Sequence, residues 1–439
     1  MTSEGKLAWK SNFNLSANSV PQAGFFELIE RFSQTAKSMR TRPGSRDFSR
    51  NGPLSPEFLL TLILYMIADG TRRGYDLLLE AFWDEARTLG LPLPQEEAVS
   101  ASSFCSARQK IRSELFPALL LHVERLMRED FDDEIRWHNR RVFAVDGSKV
   151  NLQRHWDLAQ AFGVPKGAHC PQVLVSVLFD VCAKIPVDLR IDSFGTSERV
   201  HLLDMLPHLE EGDILVLDRG YPSHEVFQAL TRAKIDFLIR VPSSNTFEAI
   251  DLMKEIGGED YRLWIEPPAN CPPDWKRLRL RVIKLMTKKG EATFFITNLF
   301  RNQFSRDDIR DLYHMRWEEE EFYKLMKSAY IGQDQFRSKS PAGVRQEIHA
   351  QMLFLSMSRY LLLKAAAAAE CEPDQLQQKG AVLTLADYVT RLFLQKKPEV
   401  ILDSIERMLD RVARHSYRKR DGRSFPRRSF KPSSKASVR

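Results

Sequence analysis

The chain has 439 residues, of which 43% are hydrophobic, and this predicts two or three globular domains and excludes a largely disordered protein. Its formal net charge of +7 is concentrated in residues 411–439, which hold eleven Lys or Arg and one Asp. Five cysteines without regular spacing indicate a reducing compartment and argue against a disulfide framework or a structural zinc site. The longest strongly apolar run, residues 59–68, is too short to span a bilayer, so we predict a cytoplasmic protein without membrane contact.

Residues 1–135 have a helical pattern. Ser55, followed by Pro and Glu, marks a helix start, and we predict helices from there to about residue 70 and from 75 to 88. A third helix, capped by Ser102 or Ser103, carries closely spaced basic residues over 101–113. This series is similar to a helical DNA-binding domain with 101–113 as its recognition element. A helical bundle whose basic residues are simply exposed is the alternative.

Residues 136–241 change to a β pattern. Two of the predicted strands end in an acid, Val-Phe-Ala-Val-Asp at Asp146 and Ile-Leu-Val-Leu-Asp at Asp218. An aspartate in this position is most often a turn residue, so neither indicates a site by itself. The predicted order is three strands, a helix, a strand, a helix and a strand, which favours an α/β fold with crossover helices covering a sheet.

The rest of the chain divides by composition. Prolines interrupt regular structure near residue 270, and 277–282 alternates strictly before a partner strand at 294–297, so we interpret 242–291 as a β-rich insertion. Residues 351–413 are predicted to be C-terminal helices. Residues 414–439 are predicted to be a basic disordered tail that either solubilises the protein or binds phosphates.

The stretch YHMRWEEEEFYKLMK, residues 313–327, predicts an amphipathic helix. Ser305 with Asp308 is a capping-box pattern that marks its start. At about 100° per residue, the side chains within a stripe about 80° wide are Tyr313, Arg316, Glu320, Lys324 and Lys327. The same geometry places Glu319 beside the apolar face, from which its carboxylate would turn outward to solvent. A solvated polar face is the ordinary interpretation of such a helix by itself.

The spacing Tyr-(2)-Arg-(3)-Glu-(6)-Lys resembles the signature of a group of bacterial insertion-sequence transposases, which have an Asp-Asp-Glu triad on a ribonuclease-H-like fold. Asp146 and Asp218 match the two strand-end acids of that family, and Glu320 matches the third. The resemblance implies a ribonuclease-H-like catalytic core over residues 136–241 and 292–350. This core would carry the β-rich insertion and be flanked by N-terminal and C-terminal helical regions.

The resemblance also implies a chemistry. Asp146, Asp218 and Glu320 would hold two Mg or Mn ions for in-line phosphoryl transfer. Tyr313, Arg316 and Lys327 match the accompanying signature, whose cations would neutralise DNA phosphates, and we add Lys324 from the same stripe. The partners would be the double-stranded DNA of the transposon ends and of the target. A homodimer would assemble on the ends, in the bacterial nucleoid.

Two further expectations follow from the same family. Some relatives form a DNA hairpin and stack a flipped base on a tryptophan of the insertion, for which Trp264 and Trp275 are candidates; a buried core position is the alternative for either. The sequence allows two other functions. The protein could be a metal-dependent nuclease without strand transfer or a catalytically inactive DNA-binding protein.

Overall fold

The computed structural model describes residues 21–38, 47–48, 52–71, 73–242, 247–287, 290–327 and 336–416, so most of the predicted basic tail lies outside the described residues. The helices in these ranges are α1 (Ala23–Ser38), α2 (Pro56–Ala68), α3 (Tyr75–Thr88), α4 (Ala101–Arg108), α5 (Leu115–Phe131), α6 (Trp156–Phe162), α7 (Glu198–Met205), α8 (His224–Arg232), α9 (Glu248–Ile256), α10 (Arg306–Met315), α11 (Trp317–Met326), α12 (Pro341–Ala368), α13 (Gln378–Leu394) and α14 (Pro398–Arg414). The strands are β1 (Val142–Asn151), β2 (Gln172–Asp180), β3 (Ile185–Ser193), β4 (Ile214–Leu217), β5 (Asp236–Val241), β6 (Asp260–Ile265), β7 (Leu278–Met286) and β8 (Ala292–Thr297).

One mixed sheet of eight strands, in the order β3-β2-β1-β4-β5-β8-β7-β6, forms the centre of the α/β fold. β1 is antiparallel to β2 and parallel to β4, and β4 is parallel to β5. The predicted succession of strands and helices is confirmed, with α6 as an additional short helix between β1 and β2. The parallel strands β1, β4 and β5 point the same way, so the residues that follow β4 and β5 lie at a common edge of the sheet.

The predicted β-rich insertion does not form a sheet of its own. Its two strands, β6 and β7, continue the central sheet, since β7 pairs with β8 and β8 pairs with β5. The hairpin between β7 and β8 that the alternating sequence predicted is confirmed, but the hydrogen-bonded ladder runs through it without a break. Alternation reveals a strand and its turn partner, whereas the pairing of β8 with β5 joins segments that the insertion separates in the sequence.

The helices of the two chain ends pack together against the sheet. The long helix α12 is buried along most of its length and contacts α2, α5, α13 and α14 as well as β3. Ser55 caps α2 as predicted, and α3 has the predicted bounds, but Ser100 rather than Ser102 or Ser103 caps α4. No helix among the described ranges has the length and apolar character that crossing a membrane requires.

The predicted recognition element at 101–113 contains one basic residue, Arg108, that is buried. Arg108, the last residue of α4, is only 3% exposed. Its guanidinium forms a buried ion pair with Glu347 of α12 at 3.2 Å and donates hydrogen bonds to the Tyr75 hydroxyl and the Gly343 carbonyl. Arg108 is therefore a buried, paired residue and not an exposed basic one, because its counter-charge Glu347 comes from a helix more than 200 residues away in the sequence.

Candidate active site

The strand register brings Asp146 and Asp218 side by side. Ala144 of β1 is paired with Val216 of β4 in a parallel ladder, and continuing this register by two residues places Asp146 level with Asp218. Adjacent strands lie about 4.8 Å apart, and level residues of parallel strands point to the same face. Both carboxylates are thus presented at one place, where β4 ends and β1 continues alone beside β2.

Backbone N–H groups fix the orientation of both carboxylates. The N–H of Gly147 donates to Asp146 Oδ1 at 2.9 Å, and the N–H of Gly220 donates to Asp218 Oδ1 at 2.6 Å. Gly147 also has a steric role, since a Cβ there would lie 2.5 Å from the carboxyl carbon of Glu198. The glycine that follows Asp146 therefore admits a further acid, Glu198 of α7, to the neighbourhood.

Helices α10 and α11 cover this edge of the sheet. The predicted capping box is confirmed, because Ser305 and Asp308 exchange hydrogen bonds at the start of α10. A single turn residue, Arg316, separates the two helices, so residues 313–327 are not one continuous helix. The Tyr323 hydroxyl donates to the Asp146 carbonyl at 2.8 Å, which anchors α11 over β1.

The glutamate that α11 turns toward the aspartates is Glu319. Its side chain is fully buried, and the charges of Asp146 and Asp218 both act on it. Within the described part of the chain, neither carboxylate oxygen has a hydrogen-bond partner. The prediction that Glu319 turns outward to solvent is wrong. Its position one turn before Phe322 and Tyr323, both buried, was the sequence signal that could have identified it.

Glu320, the residue predicted from the signature spacing, has a different environment. Its side chain is 42% exposed and forms an ion pair with Arg316, which is itself nearly buried. The positive charge of Arg316 also acts on Asp146, so Glu320 is connected to the aspartates through this arginine. The outer glutamates point elsewhere, because Glu318 pairs with Lys184 at 3.1 Å and Glu321 pairs with Lys324.

The site carries an excess of negative charge in a low-dielectric environment. Burial, followed by the negative charges of Asp218 and Glu198, raises the pKa of Asp146 to about 6, against the opposing effects of the Gly147 N–H and Arg316. Burial first and the Asp146 charge second raise the pKa of Glu319 well above its ordinary value. A cation that entered this site would reverse both effects.

Comparison with known proteins gives a direct result. Residues 137–357, just over half of the chain, match the family described as the Transposase DDE domain. The chain belongs to this family. The matched segment contains β1 with Asp146, β4 with Asp218 following it, and both α10 and α11.

The other comparisons add little to this assignment. No curated protein matches this transposase-family chain. Among solved structures, it is similar to piggyBac transposase in a cryo-EM structure of its synaptic complex with hairpin DNA. The sequence identity is 11%, the alignment covers 92% of this chain and 86% of that chain, and the TM-score is 0.46.

The residues predicted to contact DNA phosphates are placed unevenly around the site of the transposase-family domain. Tyr313 packs against Phe295 with ring centroids 4.7 Å apart, and its buried hydroxyl has no hydrogen-bond partner in the described ranges. The Nε of Arg316 also lacks a partner there. Lys327 contacts the Ser148 hydroxyl two residues beyond Asp146, whereas Lys324 lies on the outer side of α11 with Glu321.

The tryptophan candidates are both accessible. Trp264 on β6 is 48% exposed, with the guanidinium of Arg277 centred 4.4 Å above its ring, and Trp275 is partly exposed. The buried core position that was the alternative for either residue is therefore wrong. The exposed ring of Trp264 stays a candidate for stacking.

The carboxylate side chains at this site are suited to a hard divalent cation such as Mg²⁺ or Mn²⁺. As they stand, no three His, Cys, Asp or Glu side chains of the described residues are arranged to hold a metal ion. The available donors beside one another are nonetheless carboxylate oxygens, which Mg²⁺ and Mn²⁺ prefer. The unpartnered oxygens of Glu319 give an independent indication, because buried charges in proteins are normally paired or coordinated to a metal.

Proposed function

We propose that the protein is a DNA transposase that cleaves at the ends of its insertion sequence and joins the 3′ hydroxyl ends to target DNA by two-metal phosphoryl transfer. The observation that carries the proposal is the β1–β4 register, which brings Asp146 and Asp218 together under a helix that supplies glutamates. The strand order β3-β2-β1-β4-β5 and its directions support interpretation as a ribonuclease-H-like core.

The metal ligands in this proposal are Asp146, Asp218 and Glu320, the acids that match the family triad. Two bound Mg or Mn ions supply activation of the attacking oxygen and stabilisation of the leaving oxygen. Glu320 would hold such an ion in place of its ion pair with Arg316, and the Arg316 guanidinium would then lack a carboxylate partner. An arginine freed in this way, buried beside Asp146, is suited to bind a DNA phosphate next to the reacting bond.

The remaining polar groups around the site support DNA as the partner. Tyr313 and Arg316 each have a buried polar atom that lacks a hydrogen-bond partner in the described ranges, and such an atom calls for a partner that these ranges do not supply. Lys327 lies at the C-terminal end of α11. Its Nζ contacts the Ser148 hydroxyl on β1, two residues beyond Asp146. We propose that these three residues hold the DNA end, that Lys324 contributes charge farther out, and that two copies assemble on a pair of ends.

The test uses a labelled DNA duplex taken from the region that flanks the gene and contains its matching inverted repeat. Asp146→Asn and Asp218→Asn should each abolish cleavage of this duplex in Mg²⁺, since an amide cannot supply an anionic metal ligand. Binding of the same duplex in EDTA should stay nearly intact, because these acids do not read bases. Asp157→Asn, at an exposed acid on α6, is the matched control. Cleavage at the wild-type rate by either aspartate variant would refute the proposal.

A further inference from the structure

Glu319 occupies a position where the packing of α11 calls for an apolar residue. The buried face of this helix consists of Glu319, Phe322, Tyr323 and Met326, which is the i, i+3, i+4, i+7 spacing of a core-facing stripe. A leucine or isoleucine would fill this place without any polar group to satisfy. The carboxyl group at this depth therefore requires an explanation that packing does not provide.

The surroundings of Glu319 make an uncompensated carboxylate unfavourable. Its two oxygens form no hydrogen bond of ordinary geometry among the described residues, although the Asp146 backbone N–H acts on this carboxyl group and opposes the rise in its pKa, and the charges that act on it are those of Asp146, Arg316 and Asp218. Leaving a buried polar group unpaired costs about 1–3 kcal/mol, and more if it is charged. Arg316 is the nearby cation, but its side chain is engaged with Glu320.

A divalent cation between α11 and the strand ends would remove this cost. The Tyr323 hydroxyl fixes α11 to the Asp146 carbonyl, one turn beyond Glu319, so the backbone of Glu319 is held over Asp146. Carboxylates whose charges act on one another, as those of Asp146 and Asp218 act on Glu319, are stabilised together by a shared cation. We propose that Glu319 is a direct ligand of the bound divalent cation, as a further carboxylate beside Asp146, Asp218 and Glu320. This inference rests on the proposed function, because it assumes that the two aspartates bind metal.

The test measures Mn²⁺ binding to the full-length protein without DNA, by electron paramagnetic resonance titration and by the Mn²⁺-induced rise in Tm. Glu319→Gln should weaken Mn²⁺ binding by at least about tenfold, the lower end of what loss of a supporting residue costs at metal sites. Glu319→Leu should raise the Tm in EDTA, because it removes a buried unpaired carboxyl group, and should also reduce the Mn²⁺-induced rise. Glu321→Gln, at an exposed glutamate paired with Lys324, is the matched control and should bind Mn²⁺ like the wild type.

The opposite signs of the two effects of Glu319→Leu separate a ligand from a structural residue. A residue that only fills the core would change the Tm in EDTA without changing the affinity for Mn²⁺. Wild-type Mn²⁺ affinity in both Glu319 variants, with loss of binding in Asp146→Asn, would overturn this inference and leave the proposed function standing. Wild-type Mn²⁺ binding by Asp146→Asn would instead overturn the proposed function.

Discussion

The buried ion pair between Arg108 and Glu347 allows the sharpest test of how the helical regions are built. Arg108 ends α4, Glu347 lies in the first turns of α12, and both side chains are less than 5% exposed. Glu347 also accepts hydrogen bonds from the Tyr75 hydroxyl at 3.3 Å and from the backbone N–H of Arg337 at 2.8 Å. The pair therefore joins three separate segments of the chain in one network.

Removing one partner should be strongly destabilising. Arg108→Met leaves the Glu347 carboxylate buried without its counter-charge, which costs about 3–5 kcal/mol in comparable networks. The Tyr75 hydroxyl and the Arg337 N–H still donate to Glu347, so we expect the free energy of unfolding to fall by about 3 kcal/mol, the lower end of this range. The double variant Arg108→Met/Glu347→Leu removes the unpaired charge but should recover only part of this loss, because the Tyr75 hydroxyl, the Gly343 carbonyl and the Arg337 N–H each lose a partner at a cost on the order of 0.5–1 kcal/mol.

Urea unfolding followed by circular dichroism measures these changes, and filter binding to the end duplex measures DNA affinity at a temperature where each variant is folded. Arg112→Met is the control, because Arg112 is one-third exposed and its pair with Glu114 at 3.6 Å is worth less than about 1 kcal/mol. We expect folded Arg108→Met to bind DNA with wild-type affinity. A stable Arg108→Met protein with selectively weakened DNA binding would refute this reasoning and restore Arg108 as a DNA-reading residue.

Three further predictions concern the core, the site and the tail. Burial raises the pKa of Asp180 from 3.8 to about 7, so between these values the folded state holds a proton that the unfolded state releases. The free energy of unfolding should therefore fall by roughly 3 kcal/mol from pH 5 to pH 8, and urea titrations of Asp180→Asn should not show this fall. Glu320→Gln should lose several orders of magnitude in end cleavage while Glu321→Gln keeps most of it, and equal rates would remove Glu320 from the triad. Deleting residues 417–439, which hold nine Lys or Arg and one Asp, should flatten the dependence of log DNA affinity on log salt, and an unchanged slope would show that this segment binds no phosphates.

Local signals in the sequence predicted local structure well. Proline after Ser55 and the Ser305–Asp308 capping box both mark true helix starts, since caps depend on neighbouring residues alone. The two strand-end aspartates were also recognisable, because each strand is a short apolar run followed at once by an acid. Their closeness depends on the parallel pairing of β1 with β4, which the order of elements suggested.

The features that the sequence did not predict depend on contacts between distant residues. The turn at Arg316 separates α10 from α11, and the contact of Tyr323 with the Asp146 carbonyl fixes which face of α11 is buried, so a continuous helix wheel assigned Glu319 to the wrong environment. Arg108 looked like an exposed basic residue for the same reason, because its acidic partner Glu347 lies in a helix at the other end of the chain.

Strand transfer is the measurement that tests the central claim most directly. A duplex carrying a pre-cleaved 3′ end from the flanking inverted repeat is incubated with the protein, Mn²⁺ and a supercoiled plasmid, and joined products are detected by gel mobility and by sequencing the junctions. We predict covalent joining of the 3′ hydroxyl to plasmid DNA by the wild-type protein and none by Asp146→Asn. Cleavage of the DNA end without any joined product would contradict a transposase and identify the protein as a metal-dependent nuclease.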